Sequence, residues 1–139
     1  MIGLVTGANR GLGYEMIKEG LRRGHTMLAG CRNAVDERYT GDLLELKAEY
    51  GDDLKILEMD VTDEQMVKHA AEQVQQELGQ IDFLVNNAGA TFKCRAESFP
   101  MDQFDRIMDV NVKYVFGMSQ LCYPYLKQSA GRGRIINIT

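Results

Sequence analysis

The sequence predicts an α/β fold, a doubly wound parallel sheet of five strands in the order 3-2-1-4-5, and three observations carry that reading. Short apolar runs alternate with stretches of helical periodicity, the pattern of strands joined by crossover helices. The runs are largely continuous in apolar residues, as in strands covered on both faces. A glycine-rich turn follows the first run directly and opens the first helix. Right-handed crossovers with short connections then set the strand order.

Taken in order, Ile2–Thr6 is the first strand and leads straight into Gly7. Residues 12–23 are helical, with Leu12, Met16, Ile17 and Leu21 toward the sheet and Gly24 past the end. Residues 26–31 form the second strand, and the polar stretch 33–53 holds a helical segment near 43–50. Residues 54–59 are the third strand. Thr62-Asp63-Glu64-Gln65 is a capping-box pattern that opens a helix ending near Leu78, with Gly79 as its stop. Residues 81–85 are the fourth strand, apolar apart from Asp82, and a long loop covers 86–100. Residues 101–127 carry helical periodicity through Phe104, Ile107, Met108, Val112 and Val115, with Pro124 as a candidate break. Gly131 and Gly133 lead into a fifth strand at 135–139. No repeat, low-complexity tract or linker divides the chain, which reads as one domain.

Composition narrows the function classes. Sixteen basic and twenty acidic side chains give a net charge of −4 without a basic cluster, which argues against nucleic acid or an anionic membrane as partner. Cys31, Cys94 and Cys122 are far apart and lack metal-ligand spacing, as do His25 and His69, so neither a disulfide framework nor a metal site is expected. No secretory signal pattern and no apolar run of membrane-spanning length occurs, and the expectation is a soluble, cytoplasmic protein.

The chemistry is concentrated in Thr6-Gly7-Ala8-Asn9-Arg10-Gly11-Leu12-Gly13, between strand and helix. Glycines there permit a tight turn and let a pyrophosphate approach the helix N-terminus, where free N–H groups and the dipole favour anions. A glycine-rich turn alone is weak, since any strand-to-helix turn tolerates glycine. At the end of the second strand, where NAD-preferring folds carry an acid for the ribose hydroxyls, stand Cys31 and then Arg32. A guanidinium suits a 2′-phosphate, and Arg10 in the loop would be a second cation beside it, which favours NADP over NAD.

Four further segments agree with the loop: Asp60-Val61 closing the third strand, Asn86-Asn87-Ala88-Gly89 after the fourth, Asp109-Val110-Asn111-Val112 in the long helix, and Gly133-Arg134-Ile135-Ile136-Asn137-Ile138. Together they resemble, nearly end to end, the nucleotide-binding part of the classical short-chain dehydrogenase/reductase family, whose sheet is Rossmann-like. The resemblance implies that Gly7, Gly11 and Gly13 shape the pyrophosphate cradle, with Asn9 in the loop and Leu12 contributing backbone. It implies that Asp60 accepts from the adenine amino group beside Val61, and that Arg32 and Asn33 follow the second strand at the phosphate. Asn87, Ala88 and Gly89 would pass beneath the ribose and Val110 would touch the cofactor. Asn111 matches the family's catalytic-helix Asn, and its place among Val110, Val112 and Val115 favours burial.

The function implied is an NADP-dependent oxidoreductase acting on a small-molecule carbonyl or alcohol, in a homo-oligomer. By the motif's register the family's Ser falls just beyond Thr139, with its Tyr and Lys after it, so this chain is expected to be truncated after strand five and inactive alone. Tyr123 and Lys127 have the catalytic spacing but precede strand five, and read as helix surface. The alternative is a stand-alone dinucleotide-binding or interaction module without turnover.

Overall fold

A computed structural model describes residues 1–131 and 133–138, and the sheet it contains has five parallel strands in the order β3-β2-β1-β4-β5. The strands are β1 (Ile2–Thr6), β2 (Thr26–Cys31), β3 (Leu54–Glu58), β4 (Phe83–Asn86) and β5 (Arg134–Asn137). The helices are α1 (Gly11–Arg22), α2 (Glu37–Tyr50), α3 (Glu64–Glu77), α4 (Met101–Met108) and α5 (Tyr114–Lys127). Strand order and type are those the sequence predicts. The fifth strand begins one residue earlier, at Arg134, and Thr139 lies outside the described residues.

Parallel register turns alternate side chains to opposite faces, and two core layers result. Leu4, Leu28, Leu57 and Leu84 meet Val67, Ala70 and Val74 of α3 and Met118, Cys122 and Leu126 of α5. On the other face Val5, Met27, Ala29 and Val85 meet Ile17 and Leu21 of α1 and Leu43 and Leu46 of α2. Fully burying each such aliphatic side chain contributes roughly 1.5–3 kcal/mol, so the carboxyl ends of β1 to β4 sit on a well-held platform.

Several local details depart from the sequence reading. Leu12 is 55% exposed rather than turned to the sheet, because the first turn of α1 projects past the strand ends; Gly13 and Gly20 are buried in the helix face instead. α2 starts at Glu37, because the Asp36 carboxylate caps it by accepting from Arg38 N–H at 3.0 Å. The cap of α3 is Asp63, not Thr62: its carboxylate accepts from Gln65 N–H and Met66 N–H at 2.9 and 3.1 Å. Thr62 is held elsewhere, by Asp60. β4 starts at Phe83, because Asp82 accepts from Ile2 N–H at 2.7 Å and from the Ser129 hydroxyl at 2.6 Å before the strand begins.

The long helix is interrupted at Asp109–Lys113, a single π-helical turn, rather than at Pro124. Pro124 removes one i→i−4 bond, yet α5 continues through it to Lys127, and residues 120 and 124 both lie on the exposed face. The π turn re-phases the helix, and the face carrying Phe104, Met108 and Val112 is exposed. The side chains of Ile135 and Ile136 in β5 are exposed as well. No helix among the described residues is long and apolar enough to cross a membrane.

Candidate functional site

A cleft of about 370 Å³ opens at the carboxyl ends of β1 to β4, the place where open α/β sheets bind ligands. One wall is the glycine loop. Gly7 and Gly11 have φ of +65° and +55°, the left-handed region that L side chains rarely adopt. Both line the cleft, with Asn9 and Arg10 between them. Arg10 is the N-cap of α1, with no side-chain hydrogen bond to the first turn. The N–H groups of that turn therefore have no capping side chain. Gly13 lies beneath, where a Cβ would strike the Gly7 carbonyl and approach Asn87 Nδ2 to 2.6 Å.

A polar knot fixes the loop to β4. Thr6 Oγ1 accepts from the N–H groups of Asn87 and Ala88, each at 3.0 Å. Asn87 Nδ2 returns two bonds, to Thr6 O at 3.0 Å and Gly7 O at 3.2 Å. The knot presents Asn87, Ala88 and Gly89 across the cleft. Asn86 is buried and ties β4 to its neighbours, donating to Asn137 Oδ1 at 2.9 Å and Ser119 Oγ at 3.4 Å.

At the far end lie Asp60, Val61 and, opposite, Val110. Asp60 Oδ1 accepts from Thr62 N–H at 2.9 Å and the Thr62 hydroxyl at 2.7 Å, an Asx-type turn. Oδ2 has no partner among the described residues. Cys31 also lines the cleft; burial, with a smaller push from Glu58, raises its thiol to about 11, so it is a neutral wall. Arg10 and Arg32 are exposed, line the cleft, and have no acidic partner among the described residues. The cleft is thus locally cationic in a chain of net charge −4.

Of the residues singled out from the sequence, Leu12, Gly13, Asn33 and Asn111 do not line the cleft. Gly13 shapes it from below, and Leu12 projects outward. Asn33 is a turn residue with φ of +52°, whose carbonyl accepts from Asp36 N–H at 3.0 Å. Asn9 lines the cleft yet donates to Tyr39 O at 3.0 Å, securing the loop to α2. Asn111 is exposed, which corrects the expected burial: the π turn carries it outward, and it grips the loop after β4 by two bonds. Its Nδ2 donates to Ala90 O at 2.8 Å and its Oδ1 accepts from Ala90 N–H at 2.9 Å.

The sequence reading missed Met59, Thr62, Ala90 and Arg106 as lining residues. Arg106 had a legible signal, since it precedes Val110 by four residues and so shares its helix face. Tyr123 and Lys127 lie together on α5, with Nζ 5.6 Å from the ring centroid, and neither lines the cleft. The described residues contain no group of three or more His, Cys, Asp or Glu able to hold a metal ion.

Comparison with known proteins places this geometry in a family. The chain is 34% identical over 138 residues to the uncharacterised oxidoreductase YxjF of Bacillus subtilis, covering 99% of this chain and 52% of that protein. It is 35% identical over 138 residues to gluconate 5-dehydrogenase of Gluconobacter oxydans, covering 97% and 51%. Among solved structures, an NADPH-bound carbonyl reductase from chicken fatty liver superposes with a TM-score of 0.92 at 28% identity, covering 99% of this chain and 58% of that one. The chain spans about half the length of the curated relatives it matches. The model of the short chain dehydrogenase family matches residues 2–139, and the chain belongs to that family.

Proposed function

We propose that the cleft binds NADP and that this chain is the nucleotide-binding part of an oxidoreductase acting on a small-molecule carbonyl or alcohol. The observation that carries the reading is the pair Arg10, in the loop after β1, and Arg32, just past β2: both line the cleft without an acidic partner among the described residues, and no acid stands at the end of β2. Two guanidiniums match the charge and fork geometry of a 2′-phosphate, whereas an NAD site would place a carboxylate there. Related proteins support the choice of cofactor class: the chicken carbonyl reductase was solved with NADPH, and a gluconate 5-dehydrogenase from Burkholderia cenocepacia with NADP and tartrate.

The residues present fit the group. The uncapped first turn of α1 makes an anion cradle for the pyrophosphate, with Gly7, Gly11 and the backbone of Leu12 around it, and Gly13, which has no side chain, lets the loop pack close against the helix. Asn33 turns the chain behind Arg32, and Asn9 holds the loop. Asp60 Oδ2, without a partner among the described residues, accepts from the adenine amino group beside Val61, and Val110 faces it. Asn87, Ala88 and Gly89 run beneath the ribose. Asn111 acts in catalysis by holding the loop at Ala90 on the substrate side. The bound nicotinamide supplies the hydride chemistry. Free Cys31, Cys94 and Cys122 suit a reducing cytoplasm, and the exposed stripe of Phe104, Met108, Val112 and Phe116 suits a homo-oligomer.

Titration of the purified chain with NADPH and NADH, following the nicotinamide fluorescence, tests the reading. NADPH should bind more tightly. Arg32→Asp should weaken NADPH by about 1.5–3 kcal/mol, the worth of a charged hydrogen bond, and leave NADH binding no weaker, since it puts a carboxylate where an NAD site carries one. Equal affinities in the unmutated chain refute it.

A further inference from the structure

We propose that Arg106 is an adenine-binding residue whose guanidinium lies against the base, securing it whether or not the ribose carries a 2′-phosphate. This rests on the placement of adenine beside Asp60 and Val61 argued above. Arg106 lies in the last turn of α4, exposed, and lines the same cleft as Arg10 and Arg32. Its setting differs from theirs. Arg10 and Arg32 come from the ends of elements that enclose the α1–α2 core layer, beside Ala8 and Cys31. Arg106 stands one helical turn before Val110. Val110 packs around a small void with Val61, Ala88 and Met118, and Met118 belongs to the α3–α5 layer. The cleft therefore holds two guanidiniums on one wall and a third on the other.

The chemistry of that second wall is not a phosphate site. Val61 and Val110 are apolar and partly buried, and Asp60 is acidic, so a dianion there would meet a carboxylate. A flat, neutral aromatic base fits: apolar contact with Val61 and Val110, and an amino group donated to Asp60. A planar cation next to such a ring gains cation–π and stacking attraction. Arg106 is also free to do so. The ion pairs of the neighbouring stretch join Arg95 to Glu97 and Lys113 to Asp109, leaving Arg106 without an acidic partner among the described residues.

The probes are NADPH, NADH, 5′-AMP, 2′,5′-ADP and nicotinamide mononucleotide, the last three as competitors of NADPH fluorescence. Arg106→Ala should weaken NADPH, NADH, 5′-AMP and 2′,5′-ADP by a common factor of roughly 3- to 30-fold, and leave nicotinamide mononucleotide unchanged. An unshifted melting temperature will show that the exposed substitution has left the fold intact. Loss confined to NADPH and 2′,5′-ADP would make Arg106 a third phosphate cation and overturn the proposal. Undiminished binding of all five overturns it too. If the unmutated chain binds no adenine nucleotide, the reading of the cleft fails and this inference with it; binding insensitive to Arg106 sinks the inference alone.

Discussion

Replacing Gly13 by Ala adds one methyl group where the structure has no room for it. The new Cβ would overlap the Gly7 carbonyl, reach Asn87 Nδ2 at 2.6 Å, and press on Ala8 Cα at 3.1 Å. Two of these are backbone atoms of the glycine loop, so no flexible side chain can swing aside. Asn87 must give way, and with it the bonds of 3.0 and 3.2 Å to Thr6 O and Gly7 O. Overpacking costs roughly 1–3 kcal/mol and each lost hydrogen bond about 1 kcal/mol. Ala recovers roughly 0.5–1 kcal/mol of helix propensity in α1. The net is a loss of about 2–4 kcal/mol, a large share of a small domain's stability. Urea unfolding of both proteins measures it, and dinucleotide titration should show a parallel loss of affinity as α1 moves off the loop. Gly11→Ala is the control: nothing lies within 4 Å of its Cβ, so only the left-handed φ opposes it, at roughly 1–2 kcal/mol. Equal stability of Gly13→Ala and the unmutated chain refutes the close-packing account.

Two further predictions concern titration. Burial pushes the Asp82 carboxyl up, but the Ser129 hydroxyl, Ile2 N–H, the terminal ammonium and His25 outweigh it and hold the pKa below the usual aspartate value. Its contribution is thus present above about pH 4 and lost as pH falls through the lowered folded value; Asp82→Asn should cost about 1 kcal/mol at pH 7, given solvent screening, and flatten the acid limb, whereas an unchanged acid limb contradicts this. The buried Cys31 thiol, pushed up to about 11, contributes stability that is complete below about pH 8.5 and lost as pH rises toward 11. At pH 8 iodoacetamide should modify exposed Cys94 well before Cys31, as peptide masses will report; equal rates refute it.

Strand order was legible because apolar runs and a glycine turn report covered strands directly, and those features depend only on local sequence. Caps were harder. Thr62 and Asp63 are both good N-caps, and the choice fell to Asp63 because Asp60, two residues before Thr62, captured the Thr62 hydroxyl and N–H. The π turn was invisible to periodicity: five residues at Asp109–Lys113 shift the phase of the helix without a proline or glycine to mark it. Asn111, within that turn, bonds outward to Ala90, and Phe104 and Met108 of the preceding α4 are exposed, where the apolar spacing alone pointed inward. At the site the glycines of the loop and two of the three cations, Arg10 and Arg32, were readable from their residue types, while Arg106 on α4 was missed. Thr6 was not, because its function lies in bonds to residues some 80 positions away.

The Thr6–Asn87 knot makes the cradle and the sheet interdependent. Where β4 ends, Asn87 N–H and Ala88 N–H leave the ladder, and the buried Thr6 hydroxyl takes both. Without it two partly buried donors would lack partners, at roughly 1–3 kcal/mol each. A ligand resting on Gly7 and Ala88 therefore recognises an arrangement that only the folded sheet supplies, and binding stabilises that sheet by about 2.7 kcal/mol at a hundredfold excess over Kd. The opposite wall is held differently. α4 and the π turn reach the loop after β4 through Asn111 and Ala90, and both bonds lie where water competes for them. Such bonds are worth less in net terms than buried ones, so this wall adjusts at lower cost than the glycine loop. The division matches the two kinds of recognition that the proposed reading of the cleft asks for. A pyrophosphate needs backbone N–H groups fixed in advance, because their value lies in not having to reorganise, whereas a base held as proposed by Val110 and Arg106 gains from a surface that adjusts to it.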